Sequence, residues 1–174
     1  MTKNMILNFK KNKGFTLMEV IIAIGVISVG SIGLLALMDF SIRANSISSN
    51  RLIASNLAQE GIEVIRFNRD HAADWDAWYS GFNDGDYRVG IQTVSPYTWS
   101  LEFNPASYRL YYNNVSGLYN HIGAGNASIF TRKIIVNTLS ATEKQIIADI
   151  QWSERGKNHS LIIEDRLHNW KPTW

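Results

Sequence analysis

The chain has 174 residues, no cysteine, and 17 Lys and Arg against 15 Asp and Glu, for a formal net charge of +2. That length suits a modest core plus one long additional element, and no disulfide framework can staple it. Lys3, Lys10, Lys11 and Lys13 all lie in the first fourteen residues, which hold no acid; the remainder carries 13 basic against 15 acidic side chains, a net of −2, and so lacks the electrostatic footprint of a nucleic-acid binder.

Directly after the basic leader, Val20 to Met38 runs without a charge, and Glu19 stands at the start of that run. The run is long enough to span a bilayer, and the basic leader orients its N-terminus inward. A carboxylate near a bilayer interior costs roughly 2.5–3.5 kcal/mol, which makes Glu19 a functional candidate by default. A secretory signal would end in small residues at its cleavage site, but Leu35-Ala36-Leu37-Met38-Asp39-Phe40 offers no small-x-small pattern.

The helix continues. No proline interrupts residues 15–70, a reach of about 80 Å at 1.5 Å per residue. Asp39 and Arg43 form an i,i+4 pair at the expected membrane exit. Beyond them Ile47, Ala54, Leu57, Ala58, Ile62 and Ile65 recur at three- and four-residue spacing, a stripe that needs a globular partner.

From His71 to Gly85, aromatics among acids and glycines predict an ordered loop with a short helix. Tyr87 to Val94, Tyr97 to Phe103 and Tyr108 to Tyr112 read as short strands, broken by Ser95-Pro96 and Asn104-Pro105. Asn113 to Ser128 reads as an exposed connection. Three strands follow, over Ile129 to Asn137, Gln145 to Ser153 and His159 to Leu167. In the second of them Ile146, Ala148, Ile150 and Trp152 alternate with Ile147, Asp149, Gln151 and Ser153, so one face meets a core. Short turns make the strands antiparallel neighbours. The predicted architecture is α+β, a long helix laid across an antiparallel sheet.

No catalytic constellation accompanies this pattern, and an enzyme is not expected. His71, His121, His159 and His168 match no zinc spacing, no serine sits in a nucleophile elbow, and no cofactor or metal is expected. Asn83-Asp84-Gly85-Asp86 lacks the distal Glu of a calcium loop and reads as a turn into a strand. Arg132-Lys133 and Arg155-Gly156-Lys157 read as exposed basic pairs on a strand and a hairpin tip.

Gly14-Phe15-Thr16-Leu17-Met18-Glu19, set between a basic leader and an apolar run, resembles the N-terminus of the type IV pilins and the related type II secretion pseudopilins. The resemblance implies a leader over residues 1–14, cut between Gly14 and Phe15 by a prepilin peptidase that also methylates the new Phe15 amine. It implies a helix over 15–70 that crosses the membrane at about 18–40, and a β-rich head over 71–174 outside it, in a pilin-like roll. Glu19 then guides assembly by pairing with a neighbouring subunit's N-terminal amine, and Gly25, Gly30 and Gly33 serve helix packing or flexibility.

The implied partners are the peptidase, other pilin subunits, an inner-membrane assembly platform, and lipid before assembly; nucleic acid is not among them. The implied location is the inner membrane as a single-pass protein, then a surface or periplasm-spanning filament. Two features depart from many members: there is no C-terminal disulfide loop, and Ala36 stands where a helix proline is common. The residues after Glu19 look most like minor pilins, with a secretion pseudopilin or a DNA-uptake or surface-binding pilin as alternatives.

Overall fold

The computed structural model describes residues 14–92, 98–121 and 125–170. The leader lysines and the Ser95-Pro96 break lie outside them. Two helices, α1 (Leu17–His71) and α2 (Trp75–Gly81), precede seven strands: β1 (Gly85–Gln92), β2 (Thr98–Phe103), β3 (Arg109–Asn113), β4 (Leu118–Asn120), β5 (Asn126–Ser140), β6 (Glu143–Glu154) and β7 (Lys157–His168). The chain divides into two compact units between Ile47 and Ser48. The first holds the apolar part of α1, where every residue from Gly14 to Asn45 is exposed. The second holds the rest of α1, packed on one antiparallel seven-stranded sheet, an α+β arrangement.

β5 organises the sheet. One of its edges pairs with β6 from Phe130 to Ser140. The other is shared: its C-terminal half meets β1 at Ile134 to Val136, and its N-terminal half meets β3 at Asn126 to Thr131. β2 extends the sheet from β1, β4 from β3, and β7 from β6. The alternation read in β6 holds, since Ile146, Ala148, Ile150 and Trp152 are all buried. Burying such a side chain contributes roughly 1.5–3 kcal/mol, so this row and its neighbours Ile134 and Val136 supply much of the driving force.

Helix α1 covers the row with Ala54, Leu57, Ala58, Gly61, Ile62, Val64 and Ile65. Gly61 is there because the approach is close: a Cβ would stand 2.5 Å from Ile134 Cδ1. Polar ties fix the register, with Asn50 donating to Glu154 at 2.9 Å and Arg66 paired with Asp165 at 2.7 Å. Ile47, assigned to the stripe by spacing, is instead exposed, because the packed part of the helix begins only beyond it.

The short helix expected after His71 is α2, capped by Asp74, whose carboxylate accepts from Ala77 N at 2.7 Å. Its Trp75 and Trp78 are buried, and Trp75 Nε1 donates to Ala141 O in the β5–β6 turn. Asn83 to Asp86 do lead into β1, with Asp84 bonded to Thr138 and Asp86 paired with Lys133 at 3.2 Å.

Two readings are corrected. Asn113 to Ser128 is not wholly an exposed connection: it contains β4 and the start of β5, and Asn120 is buried. Arg132 is not an exposed basic residue. It is fully buried beneath α1, donating to Leu57 O at 3.1 Å and Val89 O at 2.7 Å, with Glu60 at 3.0 Å. Its positive charge and the burial of His121 together hold the His121 imidazole down to about 3, desolvation being the larger cause.

Candidate functional site

The candidate site is the start of α1. Gly14, Phe15 and Thr16 precede the helix and are exposed, Phe15 by 83 %. Thr16 caps it: Glu19 N donates to Thr16 Oγ1 at 3.3 Å and to Thr16 O at 3.1 Å, and Val20 N donates to Thr16 O at 3.2 Å. Thr16-Leu17-Met18-Glu19 thus has the Thr-x-x-Glu spacing of a capping box, which places the Glu19 carboxylate at the positive end of the helix. That spacing was present in the sequence and gives Thr16 a role that reading for charge alone passed over.

Glu19 is exposed and forms no ion pair among the described residues. The next ionisable side chain, Asp39, pairs with Arg43 at 2.6 Å, as the i,i+4 spacing predicted. Between them the polar groups satisfy themselves. Ser28 Oγ donates to Ile24 O at 2.7 Å and Ser31 Oγ to Ile27 O at 2.8 Å, so neither hydroxyl presents an unmet group to an apolar surrounding. Among the described residues α1 is the one helix long and apolar enough to cross a membrane.

Nothing lies within 4 Å of the position a Cβ would take on Gly14, Gly25, Gly30 or Gly33. Among the described residues no contact explains these glycines, in contrast to Gly61. Among the described residues no three His, Cys, Asp or Glu are grouped to hold a metal.

Residues 9–35 match the family model of the prokaryotic N-terminal methylation motif, a span that contains Gly14, Phe15, Glu19 and the three helix glycines. No curated protein and no solved structure matches the chain. The chain thus carries the class III leader motif of type IV pilins, which supports a type IV pilin-like precursor. The motif implies processing by a prepilin peptidase and assembly with other pilin subunits. The exposed apolar helix beside it is consistent with a membrane anchor.

Proposed function

We propose that the chain is the precursor of a pilin-like structural subunit, most like a minor pilin of a type IV pilus. Residues 1–14 are the leader. A prepilin peptidase cuts between Gly14 and Phe15, where the exposed, non-helical backbone suits an extended fit in an active site, and Gly14 leaves room for it. The Phe15 amine that appears is methylated. Residues 18–40 hold the subunit in the inner membrane with the lysine-rich end inside and the head over 71–174 outside. The subunit then joins a filament through α1.

One observation carries this reading: the methylation motif lies on the exposed apolar first part of α1, on which Glu19 is unpaired among the described residues. In lipid that carboxylate costs roughly 2.5–3.5 kcal/mol, and a neighbouring subunit's terminal ammonium offsets the cost. Extraction from the membrane is then easiest in the register where the two meet. Gly25, Gly30 and Gly33, having no neighbour among the described residues within 4 Å of an added Cβ, let another helix approach closely or let α1 bend. Partners are the peptidase, the assembly platform and other subunits.

Mass spectrometry of the N-terminal peptide from the native host tests the reading. A start at methylated Phe15 is expected, and a start at Met1 or beyond Met38 overturns it.

A further inference from the structure

One end of the second unit differs in charge from the rest. Arg155-Gly156 turns β6 into β7 there, and the β3–β4 turn lies at the same end, because Trp152 pairs with Phe130 and Tyr112 with Asn126 near the start of β5. The packed part of α1 begins at this end too, with Asn50 donating to Glu154 at 2.9 Å. The segments that meet here, residues 48–56, 110–131 and 151–160, hold the cations Arg51, Arg155 and Lys157 and a single acid, Glu154. All three cations are exposed and form no ion pair among the described residues. The acids gather about 36 Å away, at the other end of the twelve-residue β6. Asp74 and Asp76 are there on α2, which Trp75 ties to the β5–β6 turn, together with Asp84, bonded to Thr138, and Glu143.

The β3–β4 turn adds an apolar point to the basic end. Asn113 builds it: its Oδ1 accepts from Val115 N at 2.8 Å and Ser116 N at 3.2 Å, and its carbonyl accepts from Gly117 N at 2.8 Å. Gly117 supplies the left-handed φ of 71°. Such turns favour Gly, Asn, Asp and Ser, yet the apex is Val115, 98 % exposed. Only β5 lies between β3 and β6 in the sheet, so this apex stands about 10 Å from the Arg155 turn.

Connectivity says which end this is. Seven residues, 41–47, separate the proposed span from Ser48, and all belong to α1. Asn50 is therefore about 15 Å of helix beyond residue 40. The headgroup layer takes up about 5–7 Å of that length, which leaves Asn50 about one Debye length from the lipid surface.

We propose, resting on the reading of α1 as a membrane anchor, that this end is a docking surface for anionic phospholipid. Arg51, Arg155 and Lys157 bind headgroup phosphates and Val115 dips between them. Three long, unpaired cations around one apolar apex prescribe no fixed partner geometry, which suits a fluid array of phosphates. Each basic side chain near an anionic surface raises affinity about fivefold.

The test uses the full chain, whose lack of cysteine lets one dye report one position. Val115→Cys, carrying a polarity-sensitive fluorophore, is reconstituted in vesicles of phosphatidylcholine alone or with phosphatidylglycerol. Its emission should shift to the blue only in the anionic vesicles, and about 0.5 M salt should reverse the shift. The same dye on Ala77→Cys, exposed on α2 among the acids, should report water throughout. Arg155→Asn combined with Lys157→Gln should lower the docked-to-undocked ratio about 25-fold, Asn being suited to the φ of 51° at that turn.

Flotation reads the anchor separately. A chain that floats with both kinds of vesicle while position 115 stays in water overturns docking and leaves the anchor standing. A chain that floats with neither overturns the anchor and docking with it. An equal blue shift in both kinds of vesicle, or one that follows protein density rather than lipid charge, puts another subunit on this end and also overturns the proposal.

Discussion

Two side chains show how a charge is tolerated in opposite settings. Arg132 is fully buried, with Glu60 and two carbonyls as its partners, while the Glu60 side chain keeps 31 % of its surface. Removing the arginine lets Glu60 turn to water; removing the glutamate strands a guanidinium in the core. Glu60→Ala should therefore destabilise the head by about 3 kcal/mol, the cost of breaking a buried pair, and by more than Arg132→Met, which replaces the charge with apolar volume. Urea melts of the two variants beside the wild type decide it, and equal or reversed losses would show that the pair does not govern this core. At Glu19 the proposed setting is lipid rather than protein. Glu19→Val removes roughly 2.5–3.5 kcal/mol of insertion cost, so the variant should insert and be cut normally, yet fail to enter filaments. Gly14→Val should stop cutting and leave the precursor, because the peptidase must fit a small side chain there. Fractionation of sheared filaments against membranes reads both, and normal incorporation of Glu19→Val would remove Glu19 from assembly.

At the scale of elements, what was legible followed from period. The proline-free run gave α1 as 15–70, with three-and-four spacing beyond Arg43, and the structure has Leu17–His71, starting where Thr16 can cap it. Alternation gave β6 face by face. The same parity was available in β5, where Phe130, Ile134 and Val136 point inward and Arg132 shares their face. Its burial was thus readable, but residue type outweighed position in the reading of an exposed basic pair. Lys144 repeats the lesson: it lies on the inward row of β6, buried, donating to Phe82 O and standing 4.5 Å from the Tyr79 ring centroid. Burial holds its amine below the ordinary lysine range although Asp84 pulls the other way. β4 was not legible, because three residues cannot display a period, and its existence depends on Tyr111 to Asn113 lying beside it. The methylation motif over residues 9–35 was the opposite case, visible in sequence because it is a local pattern that needs no fold to be recognised.

The whole molecule combines two solvents' worth of chain, and the division predicts how it behaves when cut. The first unit ends at Ile47, and from Phe15 to Ile42 its large apolar side chains are all exposed. In the second unit exposed apolar residues such as Leu52 and Phe67 stand beside the polar neighbours Arg51, Arg66 and Asn68, as on ordinary soluble surfaces. Every buried residue of α1 lies at or beyond Ala54, so a chain beginning at Ser48 keeps the entire helix–sheet interface, including Gly61 against Ile134 and Arg66 against Asp165. Ser48 and Ser49 also offer hydroxyls to cap the shortened helix. The truncated chain should be soluble without detergent and melt in one cooperative transition, while the full chain partitions with membranes. Circular dichroism against temperature, with flotation of the full chain on vesicles, measures both halves of the statement. A truncated chain that aggregates with no transition would mean that the second half of α1 is not held by the sheet. A full chain that stays in the aqueous phase would mean that the exposed apolar helix is not a membrane anchor.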